Sequence, residues 1–121
     1  MIDHLMSQSR MLVSEAYRSD ARRSELSLHT RLQCVYTASY LLALSVLDSS
    51  VALKAALPGK LALALGMRRV QIPHCDETSL IALGVWLDDF EPGAPAPLDI
   101  SDALSLLDRV RVAVMTYLAS H

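Results

Sequence analysis

The stretch that decides the fold is Leu32-Gln-Cys-Val-Tyr-Thr-Ala-Ser-Tyr-Leu-Leu-Ala-Leu-Ser-Val-Leu47, and its apolar character continues to Leu65. The 34 residues from position 32 to 65 contain only three charged side chains, which are Asp48, Lys54 and Lys60. A helix that is apolar around most of its circumference is typical of the interior of a helical bundle. We therefore expect a central buried helix that is followed by a second apolar helix.

Working outward from this stretch, apolar side chains at three- and four-residue spacing predict helices along the whole chain. The predicted segments are residues 2–20 with a possible extension to 24, residues 25–47, residues 51–67, residues 76–90, and a last helix that begins at Asp99 or Ser101. Pro58-Gly59 should break the third segment into 51–57 and 60–65, because proline removes a backbone donor and clashes with the preceding turn. The fold class is therefore all-α, a four- to five-helix up-and-down bundle in a single domain, 1–121.

The ends and faces of these helices follow from the same patterns. Gly66 should stop the third helix, since glycine readily adopts the left-handed conformation that ends helices. Asp76 is a suitable N-cap for the fourth helix, and residues 68–75 and 91–97 should be loops. On the first helix we expect the apolar side chains to face the core and Ser14 and Arg18 to face solvent. These apolar side chains are Ile2, Leu5, Met6, Leu12, Val13, Ala16 and Tyr17.

The composition indicates a protein with more apolar surface than its own core needs. The 121 residues are 52% hydrophobic, and the mean hydropathy is +0.30. A domain of this size has a small interior, so a homodimer interface is the simplest destination for the excess. The break at Pro58-Gly59 favours the second half of the opening stretch, residues 51–65, as its location. The interface candidates are Leu57, Leu61, Leu65 and Trp86.

Charge and targeting patterns restrict the class of partner. The net charge is -2, and residues 71–108 contain eight acidic and no basic side chains, so nucleic acid is an improbable partner. No segment combines the length and apolarity of a membrane span, and the N-terminus lacks a signal-peptide pattern. The two cysteines, Cys34 and Cys75, form no CxxC pair. We expect a cytoplasmic protein with no membrane contact.

Several clusters of reactive side chains are candidates for a metal, phosphate-binding or catalytic site. Pro73-His-Cys-Asp-Glu77 has no second pair of ligands to complete a zinc site, so no metal and no cofactor are expected. Asp88, Asp89 and Glu91 lie at a predicted helix C-terminus, where carboxylates oppose the helix dipole; a cation site there stays open. Arg22, Arg23 and His29 could bind a phosphate and move a proton. No catalytic constellation is predicted.

One family resemblance comes from the stretch Arg31-Leu-Gln-Cys-Val-Tyr-Thr-Ala-Ser-Tyr-Leu-Leu-Ala-Leu-Ser-Val-Leu47. It resembles the second helix of HEPN-type small helical domains. The resemblance implies an up-and-down bundle, frequent homodimers and, in some members, ribonuclease toxin activity or nucleotide binding. Catalytic members share an Arg-x4-6-His motif near the start of a later helix. Here the matching spacings, from Arg22 or Arg23 to His29, lie before the second helix, so the resemblance implies a non-catalytic member.

The sequence supports two candidate functions. The first is a non-enzymatic, homodimeric protein-interaction module that also has a possible protein partner. The second is a HEPN-like nucleotide- or RNA-acting protein, of the toxin, antitoxin or ribonuclease type, that uses Arg22, Arg23 and His29. They differ in what they require of the structure, because the first needs an exposed apolar face and the second needs the three basic side chains in one groove.

Overall fold

A computed structural model describes residues 4–47 and 59–121, and in these ranges it contains five α-helices and no strand. The helices are α1 His4–Ala21, α2 Leu28–Ser45, α3 Gly59–Val70, α4 His74–Asp88 and α5 Ile100–Ala119. The prediction of an all-α helical bundle is confirmed. The predicted helix at 51–57, the break at Pro58 and the interface candidate Leu57 lie outside the described residues.

Helix α2 is the centre of the bundle and packs against each of the other four helices. Ser27 precedes it in extended conformation, and its hydroxyl accepts a hydrogen bond from the Thr30 backbone N–H, which fixes the start of the helix. Leu32, Val35 and Leu42 are almost completely buried. The expectation of a buried central helix is therefore met, although α2 begins at Leu28 and not at residue 25.

Helices α1 and α2 meet along a seam of small side chains, which we define as Ser7, Ser14 and Ala21 of α1 facing Ala38 and Ser45 of α2. The Ser7 hydroxyl donates to the Ser45 carbonyl at 2.7 Å, and the Ser14 hydroxyl donates to the Ala38 carbonyl at 2.9 Å. The early part of α1 therefore lies beside the late part of α2, so the helices are antiparallel. The separation of packed helices depends on the side chains between them, and small ones permit a close approach.

The seam shows that the predicted inward face of α1 is wrong. Ser7, Ser14 and Ala21 are the buried residues of α1, whereas Leu5 and Leu12 are 76% and 73% exposed. Ser14, which was expected to face solvent, is 3% exposed. The inward side of this helix is selected by close packing and hydrogen bonding to α2, and Leu5, Leu12 and Val13 consequently lie in solvent, whereas Met11 packs partly against the core.

Gly66 does not end α3, which continues to Val70. A Cβ atom at Gly66 would lie 2.6 Å from the Cβ and carbonyl oxygen of Ala43, so glycine is required where α3 crosses α2. The helix instead ends at Val70, and Gln71 directly after it has the left-handed φ of 59°. The loop predicted at 68–75 is therefore reduced to a short connection between Val70 and His74.

Helix α4 begins at His74, which places the predicted N-cap Asp76 inside its first turn. The Asp76 carboxylate accepts two hydrogen bonds from Arg109 of α5, at 3.0 and 3.1 Å. Because Asp76 is only 6% exposed, this bidentate pair satisfies a charge that would be costly to bury alone. Helix α5 begins at Ile100, directly after Asp99, whose side chain caps the helix by accepting a hydrogen bond from the Asp102 backbone N–H at 2.7 Å.

Candidate interaction surfaces

The most exposed large apolar side chains of the described residues lie on α1. Leu5, Ser9, Leu12 and Ala16 follow one another at three- and four-residue spacing, so they share one side of the helix, which we call the outer stripe. All four are exposed, and none is charged. A helix normally directs its apolar side toward the core, so an apolar side in solvent is the pattern of a surface that is covered by a partner.

Beside the outer stripe, α1 and α5 enclose an open groove of about 590 Å³. Its lining is mostly apolar and includes Met11, Leu12, Met115 and Leu118. Methionine side chains are flexible and polarizable, and they adapt well to the surface of a binding partner. Leu12 belongs to both the outer stripe and the groove, so the two features form one continuous surface, which we call the α1–α5 face.

Ion pairs join α1 to α5 at one end of this groove. The guanidinium of Arg18 lies 2.8 Å from the Asp108 carboxylate, and that of Arg111 lies 2.5 Å from Glu15. These pairs also show that the two helices run antiparallel. Both carboxylates have a cationic partner, so this end of the groove carries little net charge.

A second apolar surface lies on α3 and α4. The interface candidates Leu61 and Leu65 are 46% and 37% exposed. Ile81 and Val85 of α4, which were not predicted as interface residues, are also exposed. Ion pairs link the two helices on either side of these residues: Lys60 Nζ lies 2.6 Å from Asp88, and Arg68 lies 3.3 Å from Glu77. We call this the α3–α4 face.

Trp86, the remaining interface candidate, is half-buried and engaged within the chain. Its ring meets Phe90 edge to face, with centroids 5.1 Å apart, and His29 lies 5.6 Å from Trp86 and 4.4 Å from Phe90. The indole N–H donates to the Ala94 carbonyl at 3.4 Å, which attaches the proline-rich connector to the bundle. Aromatic groups in these geometries attract one another beyond their burial, so this cluster stabilises the contact between α2 and α4.

Arg22, Arg23 and His29 do not form a joint site through any contact of the described residues. Arg23 lies in the turn after α1 and pairs with Glu25 at 2.7 Å and with Asp20 at 3.8 Å. The hydrogen bond that the Arg23 guanidinium donates to the Glu25 carboxylate raises the pKa of Arg23. The backbone N–H of Arg22 closes the same turn by donating to Ser19. His29, as described above, lies at a tilt against the rings of Trp86 on α4 and of Phe90 just after it.

Of the acidic cluster Asp88, Asp89 and Glu91, Asp88 is engaged by a cation from a neighbouring helix, and so are Asp76 and Glu77 of the stretch Pro73–Glu77. Asp88 pairs with Lys60, Glu77 with Arg68 and Asp76 with Arg109. Within residues 4–47 and 59–121, no three His, Cys, Asp or Glu side chains converge to hold a metal ion. Tyr36 lies near the Lys60–Asp88 pair, and burial, followed by the charge of Asp88, raises the pKa of its hydroxyl.

The spacing of small residues on α1 and α2 is the sequence signal that could have revealed the α1–α5 face. The periodicity of α1 correctly predicts an apolar stripe, but a stripe has no intrinsic direction. The signal for its direction is the spacing of Ser7, Ser14 and Ala21 at intervals of seven, which matches Ala38 and Ser45 on α2. Two such sets of small residues on neighbouring helices predict a close antiparallel contact, which leaves the leucines outside.

Comparison of the chain with known protein families, with curated proteins and with solved structures found no match. The described helices include none that is long and apolar enough to cross a membrane. The α1–α5 face and the α3–α4 face are therefore the features of the molecule that bear on its function.

Proposed function

We propose that this protein is a non-enzymatic protein-interaction module that forms a homodimer through the α1–α5 face. The observation that carries the proposal is the exposure of Leu5 and Leu12, at 76% and 73%, on a helix whose inward side is made of serine and alanine. Burying one such leucine is worth about 1.5–3 kcal/mol. A second copy that covers both leucines supplies that burial without any change in the fold of the monomer.

The sizes of the two apolar faces favour α1–α5 over α3–α4 as the dimer interface. Helix α1 has 18 residues, so with its neighbouring groove it offers about 27 by 20 Å, or about 500 Å² per copy. Two copies that cover this whole face, including the α5 side of the groove, would bury about 1,000 Å², the lower limit for a specific interface. In the described part of the chain helix α3 has 12 residues, which gives about 360 Å² per copy by the same geometry, so the described residues of two copies bury less than that limit.

Analytical ultracentrifugation of the Leu12→Glu variant tests the proposal. The wild-type protein is expected to dimerise with a Kd in the micromolar range, as an interface of this size indicates. In a symmetric dimer, one substitution places two carboxylates in the apolar contact. We expect the Kd to rise at least about 30-fold, which corresponds to the loss of a central anchor worth about 2 kcal/mol.

Leu61→Glu is the matched control, because Leu61 is an exposed leucine on the α3–α4 face. It should leave the Kd within about twofold of the wild-type value, as is usual for a residue outside an interface. A wild-type protein that sediments as a monomer at 100 times the expected Kd would contradict the proposal. A dimer that Leu61→Glu dissociates and Leu12→Glu does not would move the interface to the face predicted from the sequence.

The RNA-acting alternative remains a prediction. It requires Arg22, Arg23 and His29 to converge, and the contacts of the described residues instead direct Arg23 to Glu25 and His29 to Trp86 and Phe90. No contact favours this function over the interaction module.

A further inference from the structure

We propose that the second copy packs α1 against α1 in antiparallel orientation, with Leu5 of each copy against the partner's Leu12. This inference rests on the proposed dimer and specifies its register. Leu5 and Leu12 are seven residues apart on the outer stripe and are its two large side chains. In a two-fold symmetric contact, when Leu5 of one copy meets the partner's Leu12, Leu12 of that copy also meets the partner's Leu5. One register therefore brings four leucines together around the symmetry axis.

The side chains at the centre of the outer stripe fit this register. The midpoint between Leu5 and Leu12 falls between Gln8 and Ser9, so Ser9 of the two copies meets near the axis. Ser9 is small and exposed, and a small side chain at the crossing point lets two helices approach closely. The seam between α1 and α2 uses serine in the same way.

The charge distribution favours a second copy as the occupant of this face. No residue of the outer stripe is charged, and the nearby carboxylates of Glu15 and Asp108 are paired with Arg111 and Arg18. A surface with net charge would repel its own copy, whereas a neutral apolar one associates with itself without repulsion. A strongly charged partner would find no complementary group on the outer stripe.

The α5 side of the groove extends the contact beyond the two α1 helices. Met115 is 45% exposed and lines the groove beside Leu12, and Val112, one turn earlier on α5, is 61% exposed. When α1 of the second copy lies on the outer stripe, the partner's leucines reach toward these side chains. The flexible Met115 can then adjust to fill the remaining space.

Disulfide trapping of a Ser9→Cys variant tests the register. Cys34→Ala and Cys75→Ser first remove the native thiols, of which Cys75 is exposed. A disulfide forms only when the two Cα atoms lie within about 7 Å of each other. Mild oxidation at a concentration above the dimer Kd should therefore convert most of the Ser9→Cys protein to a covalent dimer on non-reducing gels. Thr78→Cys, an exposed position on α4 beside the α3–α4 face, should stay monomeric.

The outcomes separate this inference from the proposed function. A dimer by sedimentation that Leu12→Glu dissociates, but that Ser9→Cys does not trap, would overturn the register and leave the dimer intact. Trapping through Thr78→Cys instead of Ser9→Cys would overturn both the register and the face. Efficient trapping of Ser9→Cys that Leu12→Glu reduces at least tenfold would support the register, since random collisions are insensitive to that substitution.

Discussion

Helices α1 and α5 are both amphipathic, yet they use their apolar sides in opposite ways. On α5, the buried residues include Leu106, Leu107 and Val110, and each of them is at most 1% exposed. On α1, the buried positions are Ser7, Ser14 and Ala21, and the large side chains of Leu5 and Leu12 are in solvent. The same kind of pattern thus contributes to the core in one helix and forms a surface in the other.

The difference shows that α1 is attached to the bundle by shape and hydrogen bonds more than by apolar burial. Ser7 and Ser14 each donate to a carbonyl of α2, and Arg10 donates to the Leu44 carbonyl at 2.9 Å. A typical hydrogen bond of this kind contributes about 0.5–1.5 kcal/mol net, less than a buried leucine does. The substitutions below should therefore affect the two helices very differently.

The largest difference is expected between Leu107→Ala on α5 and Leu12→Ala on α1. Leu107 is 0% exposed, so its truncation removes apolar burial and leaves a cavity, at a cost of about 2–5 kcal/mol in the free energy of unfolding. Leu12 is 73% exposed, and its truncation should change this free energy by less than about 0.5 kcal/mol. Urea denaturation followed by circular dichroism measures both values.

Protein concentration is the essential control in that experiment. Dimerisation adds to the apparent stability by mass action, so both variants must be unfolded well below the dimer Kd. Equal losses for Leu12→Ala and Leu107→Ala under those conditions would mean that the outer stripe packs inside the monomer. The contrast between the helices would then be wrong.

A smaller effect is expected from enlarging the seam between α1 and α2. Ser14→Leu places a large side chain where the helices touch, and overpacking of this kind costs about 1–3 kcal/mol. Ser14→Ala keeps the close approach and removes one hydrogen bond, so it should cost under about 1 kcal/mol. The free energy of unfolding of the two variants, measured in urea, separates the role of size from the role of the hydroxyl.

Ser9→Leu provides the matched control for this prediction, because Ser9 is an exposed serine on the same helix. Measured below the dimer Kd, it should change the free energy of unfolding by no more than about 0.5 kcal/mol. If Ser14→Leu is as well tolerated as Ser9→Leu, the small residues of the seam do not set the position of α1.

The sequence was sufficient to predict the parts of the fold where local pattern and tertiary packing agree. The buried central helix and the start of the last helix near Asp99 follow from apolar periodicity and helix-start signals alone. In α2, the large apolar side chains Leu32, Val35 and Leu42 are also the ones that fit between the neighbouring helices.

The failures occur where a neighbouring helix overrides a local preference. Glycine is a residue type that commonly ends helices, but Gly66 lies in mid-helix because it contacts Ala43 closely. Aspartate is a common N-cap residue, but the Asp76 side chain is held instead by Arg109, which is 33 residues away in the sequence. The apolar stripe of α1 was predicted correctly and its direction was not, because direction depends on the match between Ser7 and Ser14 and the α2 backbone. Each of these errors concerns a contact that one element cannot reveal.

The smallest effect is expected from the ion pair that joins α1 to α5. Arg18, whose side chain is 19% exposed, lies 2.8 Å from Asp108, whose side chain is 48% exposed. Water and salt screen a pair at this depth, so a double-mutant cycle of Arg18→Ala and Asp108→Ala should give a coupling of about 0.2–1 kcal/mol. The coupling should fall as the salt concentration rises, because part of the pair is in solvent.

Arg23 and Glu25 give the matched comparison for this cycle, with a similar distance of 2.7 Å but side chains that are 55% and 60% exposed. Their coupling should be undetectable, since both side chains remain hydrated. If the Arg18–Asp108 coupling were instead large and independent of salt, α5 would hold α1 electrostatically as strongly as the seam does. In that case both α2 and α5 would hold α1 in its orientation and keep the outer stripe exposed. Enlarging Ser14 would then weaken only the contact with α2 and would not displace α1.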